Sequence, residues 1–87
     1  MASFKAVIAD PVGMHARPAA LIVGEAGKYQ SDITIFSGGK TGNLKSIMTI
    51  IALGIHQGAK VEIVASGADE ESAIAGIEKV MKDNKVI

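Results

Sequence analysis

The feature that most constrains this chain is the repeated switching of its apolar period between two and about 3.6 residues. Phe4, Ala6 and Ile8 alternate with Lys5 and Val7, which predicts a first strand with one face on a core. Ala19, Ile22, Val23 and Ala26 then follow the i, i+3, i+4, i+7 spacing of a helix, predicted over about Ala16 to Gly27. Period two returns in Ile33-Thr34-Ile35-Phe36, and the glycine-rich Ser37-Gly38-Gly39-Lys40 reads as a hairpin turn. A short third strand follows, about Lys40 to Asn43. Ser46 has the chemistry of an N-cap for a second helix starting at Ile47. Ile50 and Leu53 are its expected core positions, and Gly54 and Gly58 end the segment. From Lys60 to Ser66, Val61, Ile63 and Ala65 alternate with Glu62, Val64 and Ser66 in a fourth strand. Asp69 is the expected cap of a last helix, with Glu70 and Glu71 at its positive end and Lys79, Lys82 and Lys85 at its negative end. Ala73, Ile74, Ile77, Val80 and Met81 form that helix's buried stripe. The order βαββαβα, without repeat or linker, predicts an α+β fold, an open-faced β-sandwich with helices on one face of a four-stranded antiparallel sheet.

Composition sets the bounds. Eighty-seven residues suffice for one core and not for two, so residues 1–87 are expected to form a single domain. The chain has no cysteine, which excludes disulfides and thiolate chemistry and fits a reducing cytoplasm. Nine basic and nine acidic residues cancel, so no overall field points to nucleic acid. Phe4, Tyr29 and Phe36 are too few aromatics for a base-stacking platform. Met1 to Ile8 lacks a long apolar segment, and no apolar run approaches membrane-spanning length. The expectation is a soluble, cytoplasmic, monomeric protein with no membrane or nucleic-acid partner.

The chemistry concentrates in Gly13-Met14-His15-Ala16-Arg17-Pro18-Ala19-Ala20. Pro18 suits the first turn of a helix, where its missing N–H has no partner to lose. His15 therefore stands at or beside a helix N-terminus, among free backbone N–H groups and the positive end of the dipole. Arg17 is the only arginine, the other eight basic residues being lysines. A guanidinium holds phosphate through two parallel hydrogen bonds, which an ammonium cannot do. A neutral imidazole offers a bare ring nitrogen that attacks phosphorus without a general base. The phosphorylated ring would then face the amides of Ala16 and Arg17 and the guanidinium. A lone histidine more often caps a helix; Gly13, the sole arginine and Pro18 around it favour the phosphoryl carrier.

That octet resembles the active-site signature of HPr, the histidine-containing phosphocarrier family of the bacterial phosphotransferase system. Gly39-Lys40 followed by Lys45-Ser46-Ile47-Met48 resembles the family's second signature, and the likeness runs the length of the chain. The resemblance implies that His15 accepts a phosphoryl group from enzyme I through Nδ1 and passes it to sugar-specific IIA domains. It also implies that Arg17 stabilises the charge, with no cofactor. Some relatives carry a hydroxyl or amide side chain where this chain has Val12, which cannot touch a phosphate. Asp10 adds a negative charge that could oppose the phosphate or hydrogen-bond the loop.

Ala16, Ala20, Gly24 and Gly27 form a stripe of small residues along the first helix. Glycine inside a helix costs about 1 kcal/mol relative to alanine. Close packing, or a C-cap at Gly27, would explain the stripe; the family parallel favours a low-relief docking surface beside His15. Ile47, Met48 and Ile51 would add an apolar patch to it. Ser46 is expected to cap its helix whatever else it does. In HPr proteins of Gram-positive type the matching serine is the target of a regulatory kinase. A phosphate there would place about −1.5 to −2 charges beside the patch and oppose docking. A serine kinase and phosphorylase, and a transcriptional regulator, are then implied partners. The rival reading is an HPr-like regulatory module that works by contact alone; relatives limited to that role tend to lack the active-site histidine. His56 reads as a surface turn residue, and two histidines without cysteine or paired carboxylates predict no metal site.

Overall fold

The computed structural model describes all 87 residues and contains the elements in the predicted order. They are β1 (Ala2–Val7), α1 (Ala16–Ala26), β2 (Asp32–Ser37), β3 (Lys40–Asn43), α2 (Ile47–Ala52), β4 (Lys60–Ser66) and α3 (Glu70–Asp83). The sheet is antiparallel throughout, in the order β1-β4-β2-β3. Its register aligns Phe4, Ile63, Ile35 and Gly42 in one cross-strand row and Lys5, Glu62, Phe36 and Thr41 in the next. Because side chains alternate across a strand, the first row faces the helices and the second faces solvent. Ile33, Ile35, Val61, Ile63 and Ala65 are all buried beneath α1, α2 and α3, in one cluster with Ile22, Ala26, Ile50, Ile77 and Met81. Each such isoleucine contributes about 1.5–3 kcal/mol by leaving water. Gly42 lets α2 come down on β3: a Cβ there would lie 2.8 Å from the Thr49 methyl.

Several boundaries and caps differ from expectation. β1 starts two residues earlier than predicted, and Ile8 is buried just past its end, where its N–H reaches the Ala59 carbonyl at 2.9 Å. Asp69 sits at the N-cap position of α3 but does not cap it. Its carboxylate instead accepts from the backbone N–H groups of Gln30 and Ser31, each at 2.9 Å, and from the Ser31 hydroxyl at 2.5 Å. The competing acceptor task belongs to the α1–β2 loop, which local sequence does not reveal.

The C-terminal end of α3 also departs from the charge pattern. Only Lys82 lies in the last turn. Lys85 is past the helix at φ 58°, and its N–H bonds to the Lys82 carbonyl at 3.1 Å while Val86 N–H bonds to Met81 at 2.8 Å. That is a Schellman motif with lysine where glycine usually stands, and Val86 completes it by burying its side chain. Gly27 is right-handed at φ −65°, so it closes α1 without using glycine's special freedom. Val80 is half-buried rather than fully in the stripe.

Candidate functional site

The loop between β1 and α1 is held from both sides. The N–H groups of Ala9 and Asp10 donate to the Val86 carbonyl at 2.7 and 3.4 Å, tying the loop to the chain's last turn. Met14 N–H donates to the Ile55 carbonyl at 3.0 Å, and the Met14 side chain is buried. Gly13 makes this possible. Its φ is +80°, and any Cβ on it would overlap the Ile55 carbonyl. The turn therefore presses against the segment after α2 and delivers the next residues to a fixed place.

His15 occupies the N-cap position of α1, with extended backbone at φ −96° and ψ −169°. Its carbonyl accepts the first helical bond, from Ala19 N–H at 2.9 Å. The imidazole makes no capping bond, so the ring is free of the structural task a histidine there often has. The backbone N–H groups of Ala16 and Arg17 have no acceptor in the chain. Pro18, third in the helix, is buried and gives up no bond. The ring is partly exposed, and the Arg17 side chain is 61% exposed beside it.

Asp10 completes the cluster. Its nearly buried carboxylate accepts from Val12 N–H at 2.9 Å, closing the loop. The same carboxylate lies 3.7 Å from His15 Nε2 and 4.0 Å from Arg17 Nη2. Both distances exceed hydrogen bonds, so the carboxylate faces the imidazole and the guanidinium without bonding to either. Val12 is 68% exposed and contributes only its backbone.

Ala16, Ala20, Gly24 and Gly27 are all exposed, and a Cβ at Gly24 would meet nothing within 4 Å. The stripe is thus not explained by close packing inside the chain. α2 packs beside α1 and presents Met48 and Ile51, 74% and 41% exposed, while Ile47 is half-buried against the core. Leu21, 38% exposed on α1, was not singled out from the sequence. Its position four residues beyond Arg17, on the same helical face, is the signal that would have found it. Ser46 caps α2 as expected: Thr49 N–H donates to its Oγ at 3.4 Å, and the two hydroxyls lie 2.9 Å apart. Lys45 beside it donates to the Tyr29 carbonyl at 2.8 Å. His56 is exposed in the turn after α2 and joins no cluster. No group of three or more metal-ligating side chains occurs, and no helix is long and apolar enough to cross a membrane. The two main surface depressions lie elsewhere, and His15 lines neither.

Residues 2–83 match the family described as "PTS HPr component phosphorylation site". The chain is 47% identical over 88 residues to the phosphocarrier protein HPr of Mycoplasma genitalium, covering all of both chains. It is equally similar, 47% over 87 residues, to the HPr of Mycoplasma capricolum, covering 98% of that protein. Among solved structures, the histidine-containing phosphocarrier protein of a Mycoplasma superposes with a TM-score of 0.97 at 46% identity, over 99% of this chain and 98% of the other.

Proposed function

The chain belongs to the HPr family of phosphocarrier proteins, and from that premise we propose that His15 is the residue that carries the phosphoryl group. Nδ1 of the neutral ring attacks phosphorus on the phosphohistidine of enzyme I. An N–P bond forms at His15 as the donor's P–N bond breaks and its imidazole leaves. The second transfer reverses the roles, with a sugar-specific IIA domain as acceptor. Asp10 lies toward Nε2 and favours the proton there, which leaves Nδ1 with its lone pair. The N–H groups of Ala16 and Arg17 and the Arg17 guanidinium receive the phosphate oxygens. Both partners dock on the Ala16, Ala20, Gly24, Gly27 stripe and on Ile47, Met48 and Ile51. The relay works in the cytoplasm as a monomer, because one copy carries every group that transfer uses. The single observation that carries this reading is an uncapped imidazole at a helix N-terminus whose first two amides lack acceptors.

Labelled phosphoenolpyruvate with purified enzyme I tests it. The expected label is acid-labile and base-stable, as a phosphoramidate is, and absent from His15→Ala. Label retained by that variant would remove His15 from the role.

Ser46 is proposed as the regulatory site. Its Oγ lies at the N-terminus of α2, where a phosphate would be tolerated, and Met48 and Ile51 are within the same short helix. Ser46→Asp is expected to weaken enzyme I binding about tenfold while leaving the fold intact, the effect of a charge set against a docking patch. Equal affinity of variant and wild type would count against the switch.

A further inference from the structure

Apart from Met1 and from Val12 in the loop before His15, the exposed large apolar side chains fall on two sides of the molecule. Leu21, Met48 and Ile51 stand on the helices near His15, whereas Val7 and Phe36, 52% and 40% exposed, stand on the solvent face of the sheet. There β1, β4, β2 and the β2–β3 turn enclose a shallow depression of about 530 Å³. Lys5, Lys40 and Lys60 line it, and Glu62 is its only carboxylate.

The lysines are unusual in having no partner. Lys28, Lys79 and Lys82 pair with Glu25, Asp83 and Glu78, and Lys45 bonds to the Tyr29 carbonyl. Only Lys5, Lys40, Lys60 and Lys85 remain, and three of these four line the depression, Lys5 and Lys60 on the solvent face that Phe36 shares and Lys40 at the start of β3, beside the turn. Three lysines against one glutamate leave an excess of positive charge here, in a chain whose net charge is zero.

We propose that this depression binds a nucleoside polyphosphate, with its base stacked on Phe36 and its phosphates held by Lys5, Lys40 and Lys60. The volume lies in the range of small-molecule sites, roughly 300–1,000 Å³. Lysine binds phosphate as a point charge, and an aromatic face accepts any base. One exposed aromatic stacks one base, so the ligand is a mononucleotide and not a strand. Glu62 lies between Lys5 and Phe36 in the cross-strand row, positioned to accept from an exocyclic amine or ribose hydroxyls. Gly38 and Gly39 have nothing within 4 Å of a Cβ position, so the turn leaves phosphates room beside Lys40.

The test is an NMR titration of the isotope-labelled chain with ATP, adenosine and inorganic tripolyphosphate. ATP is expected to shift the amides of Phe36, Gly38, Gly39, Lys60 and Glu62 and to bind more tightly than either half alone. Phe36→Ala should weaken ATP about tenfold, as loss of a stacking contact does, and leave tripolyphosphate unchanged. The double variant Lys40→Gln/Lys60→Gln, at two exposed positions, should weaken both and serves if Phe36→Ala fails to fold. Tripolyphosphate binding as tightly as ATP would reduce the site to diffuse charge and overturn the proposal. So would shifts centred on His15 and Arg17, or a polyglutamate peptide binding as tightly as ATP.

Discussion

At the scale of single residues, the proposed phosphate on His15 would meet Asp10 first. Its carboxylate lies 3.7 Å from the imidazole and 4.0 Å from the guanidinium, held by Val12 N–H, and cannot leave without opening the loop. A phosphate on His15 would compete with it for Arg17 and be repelled by about 1–3 kcal/mol, which raises the tendency to pass the group on. Asp10→Asn keeps an oxygen for Val12 and removes the charge. The phosphorylated variant is expected to hydrolyse and transfer about tenfold more slowly, read as loss of label with time. A rate equal to wild type would mean that solvent screens the carboxylate completely. Arg17→Lys replaces a fork by a point charge, and the first transfer should slow by about tenfold or more. The place of His15 and Arg17 at the start of α1 was legible in the sequence because proline, glycine and the sole arginine stand within five residues of one another. The position of the Asp10 carboxylate was not, because the geometry of a folded loop decides whether it opposes or supports its neighbours.

At the scale of elements, the site depends on the far end of the chain. Lys85 in the left-handed region turns Val86 inward, and the Val86 carbonyl then holds Ala9 and Asp10. A lysine at that φ costs about 1 kcal/mol relative to glycine. Lys85→Gly is therefore expected to raise stability by about 0.5–1 kcal/mol in urea unfolding, with the slope m unchanged. Gly13→Ala should act the other way. It adds strain at φ +80° and drives a Cβ into the Ile55 carbonyl, for a loss of about 2–4 kcal/mol. The apolar periods made strands and helices readable because each element buries one face. The cap at Lys85 was not readable, since the usual signal is a glycine and none is there. Asp69 misled for a related reason: its type suits a cap, and only the tertiary fold brings Gln30 and Ser31 to it.

For the whole molecule, the open-faced architecture divides the surface into two unlike sides. Helices cover one side of the sheet and carry the histidine and its exposed small-residue stripe, while the other side keeps its lysines and Phe36 in solvent. Sequence order alone implied this layering, but not that β4 would lie between β1 and β2, which is what brings Lys5 and Lys60 to the face of the sheet that carries Phe36. The same architecture makes stability depend on acid. Asp69 joins the start of α3 to the α1–β2 loop, and the Ser31 hydroxyl, then the Gln30 and Ser31 amides, hold its carboxyl below the ordinary value. Glu25 is likewise lowered, by Tyr29 first and then Lys28. A carboxyl whose pKa is depressed on folding stabilises fully above its unfolded value, about 3.9 for aspartate. Below that, the unfolded chain binds the proton first, so stability falls as pH drops through the folded pKa. The urea midpoint should therefore be level from pH 7 to about 5 and decline below about 4. Asp69→Asn should lower the midpoint at neutral pH and flatten the acid limb, because the amide keeps an acceptor but has no charge to lose. An acid limb as steep as in wild type would move the loss to Glu25 or to Glu70, whose carboxyl the Met1 ammonium and the Gly67 N–H also lower, and Glu25→Gln and Glu70→Gln would then show which variant flattens it.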